Sequence, residues 1–176
     1  MNFVATASQT VGPYFHIGMD GLYVSDLAGN AAGEKLVIRG HVLDGDGKPV
    51  SDALIELWQA GPDGRFAQPG FAGFGRVATD AEGAFSFVTL KPGAVAGVDG
   101  KPQAPHIAVH VFMRGLLRHL VTRIYFPGEA ANATDAVLAL VPADRRATLV
   151  ARQAEQGVLE WNVILQGGDE TVFFDC

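Results

Sequence analysis

Cysteine is almost missing from the sequence. The only thiol is that of Cys176, the last of the 176 residues. One cysteine cannot form an intramolecular disulfide, and it cannot supply the paired thiolates of a zinc ribbon. Disulfide scaffolds and zinc–thiolate clusters are therefore excluded, and we expect a reducing, cytoplasmic setting.

Long apolar runs and an excess of positive charge are lacking as well. No apolar stretch approaches the length of about 18 residues that a membrane-spanning helix needs. Residues 1–6 have neither the basic region nor the long apolar region of a secretion signal. With 13 Lys and Arg against 19 Asp and Glu, the formal net charge is -6, which repels phosphate backbones and anionic lipid. We expect an unsecreted protein that binds neither nucleic acid nor membrane.

Several common catalytic motifs are absent. There is no GxGxxG or GxxxxGK[ST] phosphate loop and no GxSxG nucleophile elbow. The acidic residues Asp44, Asp46 and Asp63 lie in turn-forming clusters, where a solvated turn is the better interpretation. Cys176 has no predictable base to activate it. On its own, the chain contains no complete catalytic constellation.

Short apolar, β-branched runs separated by Gly or Pro clusters dominate the chain from residue 35 onward. This spacing is typical of a β-sandwich. A single short surface helix is predicted for residues 143–156, because Pro142 precedes it and Gly157 stops it. We predict an all-β sandwich of mixed strand topology. The predicted strands are residues 36–43, 53–59, 84–90, 106–114, 118–126, 136–141, 158–166 and 170–174.

The first 34 residues have a different character. Glycine and proline interrupt them without any sustained period, which favours an extended arm over a packed element. Such an arm needs a surface to lie on. We therefore predict an N-terminal arm, residues 1–34, that packs on a partner chain, followed by one sandwich domain, residues 35–176.

Two histidines four residues apart are the most suggestive side chains for chemistry. In a strand, His106 and His110 lie on one face but about 13 Å apart, too far to share one metal ion. A hydrogen-bonded core or interface residue is the better interpretation of each, as it is of His16, His41 and His119. Two hypotheses stay open: an autonomous metalloenzyme using His106, His110 and a carboxylate, and a non-enzymatic sandwich that only binds a protein partner.

Four segments follow one another in an order that resembles the intradiol ring-cleavage dioxygenases: residues 57–60, 63–66, 73–80 and 83–93. Residues 104–107 and 120–126 extend the resemblance over nearly the whole chain. It implies a β-sandwich that cleaves an aromatic ring between two hydroxyl-bearing carbons. Iron-binding members of the family hold Fe(III) with two tyrosines and two histidines, whose phenolate and imidazole groups stabilise the ferric ion.

This sequence departs from the family pattern at the ligand positions. Phe66 stands where the Gly-Arg-Tyr of a catalytic chain has tyrosine, and Val95 stands at the tyrosine of Lys-Pro-Gly-x-Tyr. Of the two histidines in Pro-Ala-His-x-His, His106 remains and the second is Ala108. One imidazole does not hold ferric iron tightly. The resemblance therefore implies that Fe(III) is bound by a homologous beta chain and not by this chain.

The resemblance also implies the partners and the reaction. Residues 8–14 and 170–175 are similar to the iron-free subunit of an αβ complex that forms a higher-order oligomer. Together with O2, that complex converts protocatechuate (3,4-dihydroxybenzoate) to 3-carboxy-cis,cis-muconate in the beta-ketoadipate pathway of aromatic catabolism. The isolated chain is expected to be inactive.

The substrate-facing residues are implied in the same way. Thr10, Gly12, Pro13 and Tyr14 match an arm that approaches a substrate cleft between the two chains. Arg114 matches an arginine at the pocket edge, where a guanidinium would attract the substrate carboxylate. From the residues alone, Arg114 equally fits a solvated strand end, and the Gly-Pro pair equally fits a turn.

Overall fold

Two β-sheets face each other across an apolar core in the computed structural model of the chain, which describes residues 4–97 and 100–175. The predictions that concern residues 1–3 and Cys176 lie outside the described residues. The two-sheet architecture confirms the predicted all-β sandwich. In the described ranges, no helix is long and apolar enough to cross a bilayer.

Eleven strands and two short α-helices make up the regular structure of the described residues. In chain order they are α1 (Pro13–Met19), β1 (Lys35–Leu43), β2 (Leu54–Trp58), β3 (Phe74–Ala78), β4 (Ala84–Leu90), β5 (Val95–Ala96), β6 (Pro102–Gln103), β7 (His106–Phe112), β8 (Leu120–Tyr125), α2 (Ala136–Leu140), β9 (Arg152–Glu155), β10 (Val158–Glu160) and β11 (Val163–Ile164). Short 3-10 turns cover Ala130–Thr134 and Arg146–Leu149.

The first sheet is built around β1. Strand β4 pairs with it antiparallel on one side, while β10 and then β11 pair with it parallel on the other. Strand β9 extends this sheet beyond β10. The mixture of parallel and antiparallel ladders matches the predicted mixed topology. Predicted strands 36–43 and 84–90 coincide with β1 and β4 to within one residue.

The second sheet positions the candidate site. Its order is β3-β2-β7-β8, and all its neighbours are antiparallel. Alternate residues such as Ile55, Leu57 and Val109 are fully buried against the first sheet. The intervening residues lie on the outer face, because successive side chains of a strand point to opposite sides. That outer face carries Trp58 and Ala108.

One predicted strand, residues 158–166, is split into β10 and β11. The break lies at Trp161, whose backbone carbonyl approaches Gly40 so closely that a Cβ on Gly40 would be 1.7 Å from that oxygen. The Trp161 indole is buried, and its Nε1 donates to the Thr148 carbonyl at 2.9 Å. A glycine in the middle of β1 therefore permits the two backbones to meet.

The predicted helix 143–156 is wrong, and so is the predicted strand 136–141. Residues 136–140 form α2, because the Asp135 carboxylate accepts hydrogen bonds from the amides of Val137 and Leu138 and caps the helix. After the 3-10 turn Arg146–Leu149, the chain becomes extended where the Ala151 amide donates to the Tyr125 carbonyl. That bond directs the chain into β9 instead of a helix.

Two further segments differ from expectation. Predicted strand 170–174 forms no ladder; its amides make separate hydrogen bonds, such as Phe174 N to the Val121 carbonyl at 2.8 Å. The segment before residue 35 contains α1, which begins with Pro13 at its first turn, where the fixed φ of proline favours a helix. Leu27 and Ala28 belong to the main core. Packing on the sandwich therefore begins before the predicted boundary at residue 34.

Candidate functional site

The four degenerate ligand positions lie around one patch on the outer face of the second sheet. Phe66 stacks on Trp58, with ring centroids 5.7 Å apart and an interplanar angle of 10°. Trp58 is paired across the ladder with Ala108, and His106 lies two residues earlier on the same face of β7. We call these positions and Trp58 the vestigial patch.

Close backbone packing brings the Val95 position to the same patch. The Gly93 amide donates to the Gly61 carbonyl at 3.0 Å. Gly64 has a left-handed φ of 79°, and a Cβ there would lie 2.2 Å from the Ala94 carbonyl oxygen. Only glycine tolerates both the left-handed φ and the close approach of the Ala94 carbonyl oxygen. The loop that carries Phe66 is thus held against the loop that leads into β5.

Arg123 supplies a positive charge inside the vestigial patch. It is paired with Ala108 across the ladder between β7 and β8. Its Nη1 donates to Gln103 Oε1 at 2.7 Å and lies 3.4 Å from the Tyr125 hydroxyl. Gln103 is in turn paired with Val95 in the small β5–β6 hairpin. Arg123 therefore connects the hairpin to the second sheet.

His106 is held in one orientation. Its Nδ1 donates to the Ala104 carbonyl at 2.8 Å, which leaves Nε2 as the basic nitrogen of the neutral ring. Burial lowers the pKa of His106, and the neighbouring Arg123 charge lowers it further, although the hydrogen bond to Ala104 acts in the opposite direction. The imidazole is therefore neutral at pH 7.

A buried carboxylate, that of Asp135, binds the same residue, Ala104, as the His106 ring does. Asp135 accepts from the Ala104 amide at 2.8 Å, from the Tyr125 hydroxyl at 3.0 Å and from two amides of α2. Burial acts to raise the pKa of Asp135, but the hydrogen bonds and the Arg123 charge together hold that pKa below its usual range. Burial also raises the pKa of Tyr125 to about 12. Asp135 is thus ionised and Tyr125 is a neutral donor.

The donor set of the vestigial patch does not fit ferric iron. Phe66, Val95 and Ala108 offer no donor atom, and His106 offers a single nitrogen. The ligand set that the resemblance implies combines phenolate oxygens with imidazoles, and a single imidazole does not replace it. Among residues 4–97 and 100–175, no group of three or more His, Cys, Asp or Glu side chains could hold a metal ion.

His110 does not form a metal site with His106. The centroid of its ring instead lies 5.1 Å from that of His119. Burial lowers the pKa of His110, and the charge of His119 lowers it further.

A cavity of about 210 Å³ lies beside His110, lined by Glu56, Trp58, Phe74 and Ala108 among others. A larger cavity of about 570 Å³ is lined by β1, β4 and β10 of the first sheet and by the end of β3 of the second, and it touches none of the predicted site residues.

The predicted substrate-facing residues gather at a second location, the end of β7 from which the chain turns toward β8. The Gly115 amide donates to Thr10 Oγ1 at 2.8 Å. Gly12 is the N-cap of α1, Pro13 is in its first turn, and the Tyr14 side chain is 82% exposed. The arm is fixed by Phe15, which packs on Phe112 with centroids 5.8 Å apart. We call the set of Thr10, Gly12, Pro13, Tyr14 and Arg114 the arm cluster.

Arg114 is not free in this cluster. Its Nε forms an ion pair with the Asp52 carboxylate, and Asp52 also accepts through its backbone carbonyl from His16 Nε2 at 2.7 Å.

The sequence did not reveal three of the residues that organise these sites, Asp52, Arg123 and Asp135. Asp52 pairs with Arg114, 62 residues away, and Asp135 accepts from the Ala104 amide, 31 residues away. Asp135 also caps α2 through the nearby amides of Val137 and Leu138. No local signal identifies Asp52 or Arg123, whereas the position of Asp135 directly before α2 is an N-cap signal that could have found it.

A family model described as Dioxygenase matches residues 12–167. The chain belongs to the intradiol ring-cleavage dioxygenases, as its motifs predicted. Within that family it is 48% identical to the protocatechuate 3,4-dioxygenase alpha chain of Burkholderia cepacia, over 97% of this chain and 96% of that one. It is 39% identical to the alpha chain of Pseudomonas putida, with the same coverage of both chains.

The beta chain of the Burkholderia cepacia enzyme is more distant. It is 37% identical, over 81% of this chain and 69% of its own length. Among solved structures, the dioxygenase domain of a dioxygenase and carbohydrate-binding fusion protein from Streptomyces sp. SirexAA-E superimposes with a TM-score of 0.67 at 29% identity. That match covers 85% of this chain and 89% of the other. The likeness supports the sandwich assignment.

Proposed function

We propose that this chain is the iron-free alpha chain of a protocatechuate 3,4-dioxygenase. The observation that carries the proposal is the donor set of the vestigial patch. Three of the four ligand positions, Phe66, Val95 and Ala108, have lost every donor, while the scaffold that arranges them is kept. A fold retained without its metal ligands fits a subunit whose partner performs the redox chemistry.

The iron belongs to a homologous beta chain in this proposal. The tyrosines and histidines of that chain would hold the Fe(III), which would supply the activation of the catechol toward O2, and no other cofactor would be needed. This chain supplies part of the wall of a cleft between the two subunits. Its exposed arm supports that role, because α1 has no buried residue although it carries Tyr14 and Ile17. We further propose a higher-order αβ oligomer that acts in the cytoplasm.

Substrate recognition in this proposal falls to the arm cluster. Arg114 offers a cation that a carboxylate on the aromatic ring would meet and that a plain catechol would not. Gly12 permits close approach of the backbone, Pro13 stiffens the arm, and Thr10 fixes its position through the Gly115 amide. The product of ring opening would be 3-carboxy-cis,cis-muconate, on the beta-ketoadipate route of aromatic catabolism.

The test is reconstitution with and without an iron-binding homologue. The chain purified alone should contain no stoichiometric iron and should consume no O2 with protocatechuate. Co-expression with the beta chain should give a complex that contains iron and consumes O2. An isolated chain that is loaded with iron and cleaves protocatechuate would overturn the proposal. A beta chain that is fully active alone would instead favour a non-enzymatic interaction module.

A further inference from the structure

Asp52 lies where three distant segments of the arm cluster meet. Its carboxylate pairs with Arg114 Nε, and its backbone carbonyl accepts from His16 Nε2 at 2.7 Å. On the other side of Arg114, the Gly115 amide donates to Thr10. The segments joined by these contacts are 36, 62 and 105 residues apart in the sequence. Asp52 therefore connects α1 to the residue proposed to recognise the substrate.

The contact with Asp52 leaves the recognition end of Arg114 free. A guanidinium carries five N–H groups in a planar fork. Asp52 takes Nε, and within the described part of the chain Nη1 and Nη2 donate to no other residue. The Arg114 side chain is 64% exposed, whereas that of Asp52 is 24% exposed. The terminal nitrogens can thus donate to a substrate carboxylate while the inner one is held by Asp52.

We propose that Asp52 is a positioning residue that acts through Arg114 and makes the complex select catechols that carry a carboxylate. The inference rests on the proposed function above. An arginine has many side-chain rotamers, and ordering them on binding costs affinity. Asp52 orders Arg114 before the substrate arrives. Only substrates that contact the guanidinium gain affinity from this ordering.

The test compares two substrates in the reconstituted αβ complex: protocatechuate, and 4-methylcatechol, which has no carboxylate. Asp52→Ala should raise the KM for protocatechuate about fivefold, the upper range for a partly exposed ion pair, and leave kcat nearly unchanged. The KM for 4-methylcatechol should not change. Asp52→Asn keeps an acceptor oxygen for Nε and should restore most of the protocatechuate affinity. Asp46→Ala removes an exposed surface carboxylate that pairs with Lys48 and serves as the matched control.

The Arg114→Ala background separates positioning from general structural support. Without the guanidinium, Asp52 leaves an unpaired negative charge that repels the substrate carboxylate. Adding Asp52→Ala to Arg114→Ala should therefore lower the KM for protocatechuate or leave it unchanged. A residue with a purely structural role would raise the KM in both backgrounds.

Each outcome decides the inference. Equal increases in KM for the two substrates, or an increase in the Arg114→Ala background, would overturn it while the proposed function stands. If Asp52→Ala prevents assembly, Asp52→Glu takes its place, since a longer side chain displaces Arg114 but keeps the charge; the same selective increase is expected. A wild-type complex that does not cleave protocatechuate would refute the proposed function itself.

Discussion

Arg123 lies directly opposite Ala108 in the ladder between β7 and β8, and its Nη1 donates to Gln103 Oε1 at 2.7 Å. A fixed guanidinium is therefore present among the degenerate ligand positions. Its charge repels a ferric ion, and this repulsion adds to the missing donors. The vestigial patch consequently keeps only the imidazole of His106 as a ligand and is also electrostatically unfavourable for a metal.

Restoring the ligands should reveal the effect of Arg123. The triple variant Phe66→Tyr, Val95→Tyr and Ala108→His supplies two phenolates and a second imidazole beside His106. We expect it to bind ferric iron weakly and to gain the visible absorption of an iron phenolate. Adding Arg123→Gln should tighten iron binding by about tenfold, as expected for removal of one nearby positive charge in a partly exposed site.

Iron titration monitored by absorption is the measurement for both variants. Wild-type protein and the Arg123→Gln single variant are the controls, and neither should develop the band. Equal iron affinity for the triple and quadruple variants would show that the Arg123 charge has no influence on the patch.

Asp135 should be among the most important polar residues for stability. It accepts from four donors, and Asp135→Ala leaves the buried amides of Ala104 and Leu138 without a partner. We expect a loss of about 3 kcal/mol in the free energy of unfolding, measured by urea titration. Asp144→Ala removes an exposed acid nearby and should change stability by less than about 0.5 kcal/mol. Equal effects of the two variants would contradict the assignment.

The sequence was sufficient to predict the sandwich, because its strands follow their own local pattern. In β1 and β4, alternate apolar residues such as Ile38 and Phe87 are buried, as a period of two requires. Family motifs identified the ligand positions and the arm residues for the same reason: each motif is a short, continuous stretch. Local information was therefore enough to predict the two sheets, and the roles of the ligand and arm positions remain predictions.

Several of the errors arise where long-range contacts override local preference. Residues 143–156 look helical, yet the bond from Ala151 to the Tyr125 carbonyl makes the chain extended. The predicted strand 136–141 is wrong for a different reason: Asp135 is a local N-cap signal, whose carboxylate accepts from amides two and three residues later, and this signal was not recognised. Arg123 and Asp52 were missed because their functions depend on partners that only the folded chain brings near. No periodicity in the sequence encodes such pairs.

His106 should make stability depend on pH in a defined window. Its pKa in the folded state is below the ordinary value of 6.5. Between the two values the unfolded chain binds more protons, so stability is fully present above pH 6.5 and is lost as the pH falls below it. His106→Gln should therefore reduce the slope of unfolding free energy against pH in this window.

Urea unfolding of both proteins at several pH values below and above neutrality measures that slope. A residual slope is expected in His106→Gln, because burial also lowers the pKa of His110. The double variant His106→Gln and His110→Gln should be flatter still. Identical slopes for wild type and His106→Gln would mean that His106 is not held neutral by its surroundings.

The arm should matter for assembly much more than for folding. Helix α1 has no buried residue, and Tyr14 and Ile17 are 82% and 66% exposed. Replacing both with serine leaves the contacts of Phe15 and His16 with the sandwich in place. The unfolding free energy of the isolated chain should therefore change by less than about 0.5 kcal/mol.

The same double replacement should strongly weaken the binding of the beta chain. Two exposed apolar side chains that become buried in an interface typically contribute more than about 1 kcal/mol each, so their loss should weaken the αβ complex by tenfold or more. Sedimentation measures this affinity, and Leu140→Ser on α2, also 82% exposed, is the matched control. If the arm is the docking element, only the arm variant dissociates. Equal weakening by Leu140→Ser would mean that exposed apolar area in general, rather than the arm, holds the chains together.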